Sequence, residues 1–166
     1  MNEEWRTIPD FPDYMVSSRG QVLFRSRDSV KAISVNQQGI AHVLLVRDGQ
    51  QFRRSVAILV ATAFLPAPEA SHFDTPVSKD GDRTNCNVVN LIWRPRWFAI
   101  KYHQQMKEGS RSWSQDPIYD VNTEIIYTSM WDAAITLTLL ERDIFIGVTN
   151  WTPVFPGAYE FRFVEE

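Results

Sequence analysis

Apolar and polar positions alternate through the first part of the chain. Tyr14 and Val16, then Val22 and Phe24, stand two apart on either side of Ser17-Ser18-Arg19-Gly20, a turn cluster ending in glycine. That spacing predicts a small β unit over residues 5–27. Ala41, Val43 and Leu45 alternate with His42 and Leu44, and Arg47-Asp48-Gly49-Gln50 follows. Residues 34–52 therefore read as a hairpin with Asp-Gly at its bend. The period then changes. Val56, Leu59, Val60 and Phe64 recur at helical spacing across 55–65, and Pro66 with Pro68 ends that helix. Residues 69–77 read as a loop. Beyond 93, a helix can bury Trp97 and Ile100, and Gly109-Ser110 marks a linker. Residues 118–127 read as a second hairpin around Asn122-Thr123. Ser129, followed three residues later by Asp132, signals a helix start, and Ala133, Ala134 and Leu137 continue it.

Composition adds little to this picture: 44% apolar and 22% charged residues are ordinary for a globular protein. No apolar run has the length of a membrane span, and no leader is evident, so neither a membrane nor export is expected. The single cysteine, Cys86, excludes an internal disulfide and a cysteine-rich zinc site, which fits a reducing cytoplasm. Charge is more informative. Up to Trp113 there are 15 Lys+Arg against 11 Asp+Glu; from Ser114 onward there are 2 against 9. Only the first part is suited to phosphate, because counterion release by Lys and Arg supplies most non-specific DNA affinity. The same distribution also describes two solvated faces.

Candidate chemistry centres on Ser78-Lys79-Asp80-Gly81-Asp82-Arg83-Thr84-Asn85-Cys86-Asn87-Val88-Val89-Asn90-Leu91-Ile92-Trp93. It resembles the central motif of phage HNH homing endonucleases, of the form H-K-D-G-(D/N)-x-x-N-(N/C)-x-x-x-N-L-x-W. Glu4-Trp5-Arg6-Thr7-Ile8-Pro9 with Tyr14-Met15-Val16-Ser17-Ser18-Arg19-Gly20-Gln21-Val22 is similar to the nuclease-associated modular motif that precedes many such domains. Leu59-Val60-Ala61-Thr62-Ala63-Phe64-Leu65-Pro66 looks like the family's L-V-A-x-A-F-(I/L)-P, although Ala57 and Ile58 stand where a His-Arg pair is usual. Residues 118–164 resemble the family's C-terminal DNA-recognition repeat, with a second helix after Thr138 and a closing strand over 157–164. The expected fold is α+β: a β-rich nuclease-associated module (1–52), a ββα-metal, His-Me finger remnant (53–108), a linker (109–116) and a hairpin plus helix-turn-helix module (117–166).

The resemblance implies a catalytic histidine that deprotonates water and one divalent cation held by a carboxylate and an amide or imidazole. By register those places hold Ser78, Val77 and Ala99. A serine hydroxyl is too weakly acidic to act as a base near neutrality, and valine and alanine bind no metal. Loss of general-base help alone costs about 10²–10⁴ in rate. His72 with Asp74 is an outside candidate for base and ligand, displaced upstream. Asn85, Asn87 and Asn90 either touch DNA or brace turns.

The expectation is a catalytically dead HNH relative that acts by binding, with no cofactor unless an Mg2+-dependent nickase survives. Double-stranded DNA would be held by Arg19, Arg25, Arg27, Lys31, Arg53, Arg54, Lys79, Arg83, Arg94, Arg96 and Lys101. The alternative partner is a host or phage protein, docked through Glu141, Asp143 and Phe145. At those positions carboxylates would repel phosphate. The setting implied is the cytoplasm of an infected bacterium, or the virion.

Overall fold

The computed structural model describes residues 2–165. Contacts within the chain divide it into two units, residues 1–99 and 100–166.

In the first unit, β1 (Trp5–Ile8), β2 (Phe11–Ser17), β3 (Val22–Phe24) and β4 (Ser29–Val30) form one antiparallel sheet in chain order. β5 (Ile33–Val35), β6 (Ala41–Arg47) and β7 (Gln50–Ser55) form a second. The β6–β7 bend holds Asp48 at φ 52° and Gly49 at φ 73°, the left-handed pair that a tight hairpin requires. α1 (Val56–Phe64) follows directly, and its end at an extended Leu65 reflects the bias that Pro66 imposes on the residue before it. Val56, Val60 and Ala61 are fully buried, while Leu59 and Phe64 are only partly so. The helix therefore faces the core through a narrower stripe than its sequence suggested.

β8 (Thr75–Ser78) and β9 (Leu91–Arg94) pair antiparallel, with Val77 opposite Ile92 and Ser78 opposite Leu91. The segment expected as a loop to 77 thus ends in strand. α2 (Arg96–Glu108) begins immediately afterwards.

One core joins Ile8, Phe11, Tyr14, Val16 and Val22 to Ala41, Val43, Leu45, Val56, Val60, Cys86 and Leu91. The boundary expected after residue 52 falls inside β7, and the residues on either side of it share this core. Two contacts seat the N-terminal turn on the central loop. Val88 N–H donates to the Ser18 carbonyl at 2.9 Å. Gly20, at φ +89°, lies so close that an added Cβ would sit 2.9 Å from the Cys86 Cβ.

In the second unit, β10 (Ile118–Asp120) is the middle strand between β11 (Ile126–Tyr127) and β12 (Phe161–Phe163). α3 (Met130–Leu137), α4 (Glu141–Asn150) and the turn between them share a core with this sheet through Met130, Ala133, Ala134, Leu139, Ile144 and Val148. The Ser129 hydroxyl accepts the Asp132 N–H at 3.1 Å, and the Asp132 carboxylate accepts the Thr128 N–H and hydroxyl. This closes the helix start that the sequence signals. Thr138, at φ 57°, turns the chain from α3 into α4. The closing strand expected over 157–164 is shorter, because Val154 bridges Tyr159 and Gly157 turns back on Val154 before β12 starts. Among the described residues no helix is long and apolar enough to cross a membrane.

Candidate functional site

β8, β9 and the start of α2 carry the positions on which phosphodiester chemistry would depend. The loop between the strands is built from its own polar side chains. The Asn90 carboxamide accepts the Asp80 N–H at 3.1 Å and donates to the Asp80 carboxylate at 3.0 Å and to the Asn85 carbonyl at 2.9 Å. Asn85 donates to the second Asp80 oxygen at 2.7 Å, and Asp82 N–H donates to the first at 2.9 Å. Asn87 accepts the Val89 N–H at 3.3 Å. Asn85, Asn87 and Asn90 are therefore braces of the loop. Asp82 accepts both the Thr84 N–H and hydroxyl, and these bonds hold its carboxyl below the usual range. The carboxylates nearest the site are thus engaged by amide and hydroxyl donors of their own loop.

Val77 is 4% exposed and its side chain belongs to the interior; Ser78, at 8%, is the last residue of β8. Ala99 is half-buried in the first turns of α2, its N–H bonded to the Pro95 carbonyl at 3.1 Å. An isopropyl group, a hydroxymethyl group and a methyl group offer neither a base near neutrality nor a ligand set for a hard divalent cation. The residues present do not fit a metal here, and among the described residues no three His, Cys, Asp or Glu side chains come together elsewhere. His72 is exposed with its ring edge-on to Phe73, and the Asp74 carboxylate accepts the Thr75 hydroxyl at 2.9 Å.

The expected phosphate contacts divide by exposure. Arg19, Arg25, Arg27, Arg53 and Arg96 are exposed in the first unit, and Lys101 is exposed in the second. Lys31 is half-buried. Lys79 donates to the Val89 carbonyl at 3.0 Å, and Arg83 to the Gln38 carbonyl at 3.1 Å. Burial lowers the Arg83 pKa. Arg54 lies over the rings of Phe11 and Phe52. Arg94 is a correction: it is 7% exposed, donates to the Trp93 carbonyl and lies over the Phe98 ring, so it is an interior side chain and not a surface contact. Arg6 and Arg47, which residue order did not single out, hold further positive charge against Phe64 and against the Phe11–Phe52 pair.

The expected protein-binding residues need a second correction. Glu141 is 3% exposed; its carboxylate accepts the Ser110 hydroxyl at 2.6 Å and the Arg111 N–H at 2.9 Å. It pins the segment expected as a linker and presents nothing to a partner. Asp143 is half-buried, and Phe145 stacks on Trp113 with ring centroids 5.0 Å apart. The most exposed large apolar side chains of this unit are Trp151 (71%), Ile126 (64%), Ile100 (60%) and Ile125 (53%).

The paired strands, braced loop and following helix define an α+β architecture of the HNH type. No family model matches the sequence. The uncharacterized HNH endonuclease L247 of Acanthamoeba polyphaga mimivirus is 33% identical over 91 residues, which are 54% of this chain and 22% of that protein. The chain spans about a fifth of that relative's length. Among solved structures, the HNH homing endonuclease I-HmuI, described as binding and cleaving DNA, matches with a TM-score of 0.56 and 22% identity, over 98% of this chain and 99% of that one. The fold of this chain is that of an HNH homing endonuclease, and both likenesses support the family resemblance carried by the 78–93 motif.

Proposed function

We propose that this protein is a catalytically inactive HNH homing-endonuclease-like protein that binds double-stranded DNA without cutting it. The observation that carries the reading is the side-chain set Val77, Ser78 and Ala99 in an otherwise intact ββα frame. The backbone that would present a base and a metal is kept, while the groups that would act are aliphatic or hydroxyl. DNA as the partner is supported by the exposed Arg19, Arg25, Arg27, Arg53 and Arg96 of the first unit and by the DNA-binding description of the matching solved structure.

The test combines two assays on the purified chain. Duplex binding should weaken steeply with salt, with a log–log slope near −0.9 for each phosphate neutralised. Supercoiled plasmid incubated with Mg2+ should stay intact. Chelator-sensitive nicks would refute inactivity, and a salt-insensitive or absent duplex complex would refute the DNA role.

A second reading, docking on another protein, is favoured by Ile126 and Trp151, which expose 64% and 71% of their surface. It predicts one stoichiometric partner whose capture is lost in Ile126→Lys. Retention of that partner by Ile126→Lys would refute the reading.

A further inference from the structure

Within the second unit, the latter half of α2, the 109–113 segment and the start of α4 enclose an open pocket of about 230 Å3. Trp113 forms one wall, 40% exposed and held flat against Phe145 with an interplanar angle of 21°. Lys101, Arg111, Arg142 and Asp143 line the same space. Two other carboxylates at the pocket already hold partners: Glu108 accepts the Arg111 guanidinium and the Gln104 amide, and Glu141 accepts Ser110 and the Arg111 main chain. Asp143 is left as the carboxylate facing the cavity. Burial pushes its carboxyl up, while Lys101 and Arg142 pull it back.

An aromatic plate, positive side chains and one carboxylate are the groups that a nucleotide needs. A base of any kind can stack on an indole, and such stacking is sequence-tolerant. Arg and Lys meet the phosphate. A carboxylate accepts N–H donors from a base edge, and guanine alone among the DNA bases offers two adjacent donors, at N1 and N2. The volume is below the roughly 300–1,000 Å3 of pockets for drug-sized ligands, which suits a single base.

We infer that this pocket binds one unstacked nucleotide of single-stranded DNA, guanine in preference to adenine, with its base on Trp113, its donor edge toward Asp143 and its phosphate toward Lys101, Arg111 and Arg142. This activity is separate from duplex binding by the first unit and does not rest on it.

The experiment is fluorescence anisotropy of the full chain with a short labelled thymine strand carrying one central guanine, against the same strand carrying adenine. The wild type should favour the guanine strand. Trp113→Ala should weaken both strands by roughly 5- to 150-fold, and Trp113→Phe should retain most of the affinity. Asp143→Asn should abolish the preference, so that the guanine and adenine strands bind alike. If Trp113→Ala proves unfolded by its melting curve, Arg142→Glu carries the test, with at least a tenfold loss expected. Equal binding of the two strands by the wild type, or unchanged affinity in folded Trp113→Ala, overturns the inference. Duplex binding is read on the same samples. A protein that holds duplex normally but shows no affinity for the guanine strand defeats this inference and leaves the duplex reading standing.

Discussion

The loop between β8 and β9 offers a direct test of whether its asparagines serve structure. In Asn90→Ala three hydrogen bonds disappear: the one from Asp80 N–H, the one to the Asn85 carbonyl, and the one to the Asp80 carboxylate. Neutral hydrogen bonds contribute about 0.5–1.5 kcal/mol each and those to charged groups about 1.5–3 kcal/mol, so the full sum is about 2.5–6 kcal/mol. Asn90 itself is 8% exposed, but Asp80 is exposed and can recruit water. That places the expected loss in the lower half, at about 2.5–4 kcal/mol, a large share of the roughly 5–15 kcal/mol that holds a domain together. Urea unfolding of the wild type and the variant measures it, as a shift in midpoint at constant m-value. Asn90→Asp should be at least as damaging at neutral pH, because it removes both donors and sets two carboxylates side by side. A loss below about 0.5 kcal/mol in Asn90→Ala, within the range of ordinary surface substitutions, would refute the bracing role and reopen the asparagines as ligand contacts.

Three further outcomes are expected. Gly147 sits inside α4, where alanine gains about 1 kcal/mol of helix propensity. An added Cβ there would lie 2.7 Å from Val154 Cγ2 and 2.9 Å from the Thr152 carbonyl oxygen, and overpacking costs about 1–3 kcal/mol. Gly147→Ala should therefore lower the thermal midpoint, and a rise would contradict the packing described. Burial, with a smaller contribution from Asp82, pushes the Cys86 thiol up to about 11. Native protein should resist a thiol reagent at pH 8.5 and react once unfolded, and the thiol's stabilising contribution should fade as pH climbs from its ordinary value toward 11. Rapid labelling of folded protein would count against it. Finally, Val77→Asp, Ser78→His and Ala99→Asn together should install Mg2+-dependent nicking of supercoiled plasmid if the frame is catalytically sound. A folded but inert triple variant would show that more than those side chains has been lost.

Much of the fold follows from short-range rules that residue order alone conveys. The alternation of Tyr14, Val16, Ala41, Val43 and Leu45 sets strand faces, because successive strand residues point to opposite sides. Asp48-Gly49 sets a hairpin, Pro66 stops α1, and Ser129 with Asp132 starts α3. The places assigned to Val77, Ser78 and Ala99 come instead from the resemblance of residues 78–93 to the HNH motif, which no periodicity conveys.

Tertiary structure alone decided which charged groups meet water. Glu141 reads as a surface acid until Ser110 and Arg111, about thirty positions upstream, close around its carboxylate. Arg94 reads as one member of a basic stretch until the Phe98 ring and the Trp93 carbonyl enclose it. The meeting of Gly20 with Cys86, and the single core shared by residues on both sides of position 52, have no local signature. Nor does the gathering of Trp113 and Asp143 around one pocket. Backbone geometry and helix caps depend on neighbours within a few residues, so the sequence states them. The solvation of a charge depends on which distant segments displace its water, and only the folded chain determines that.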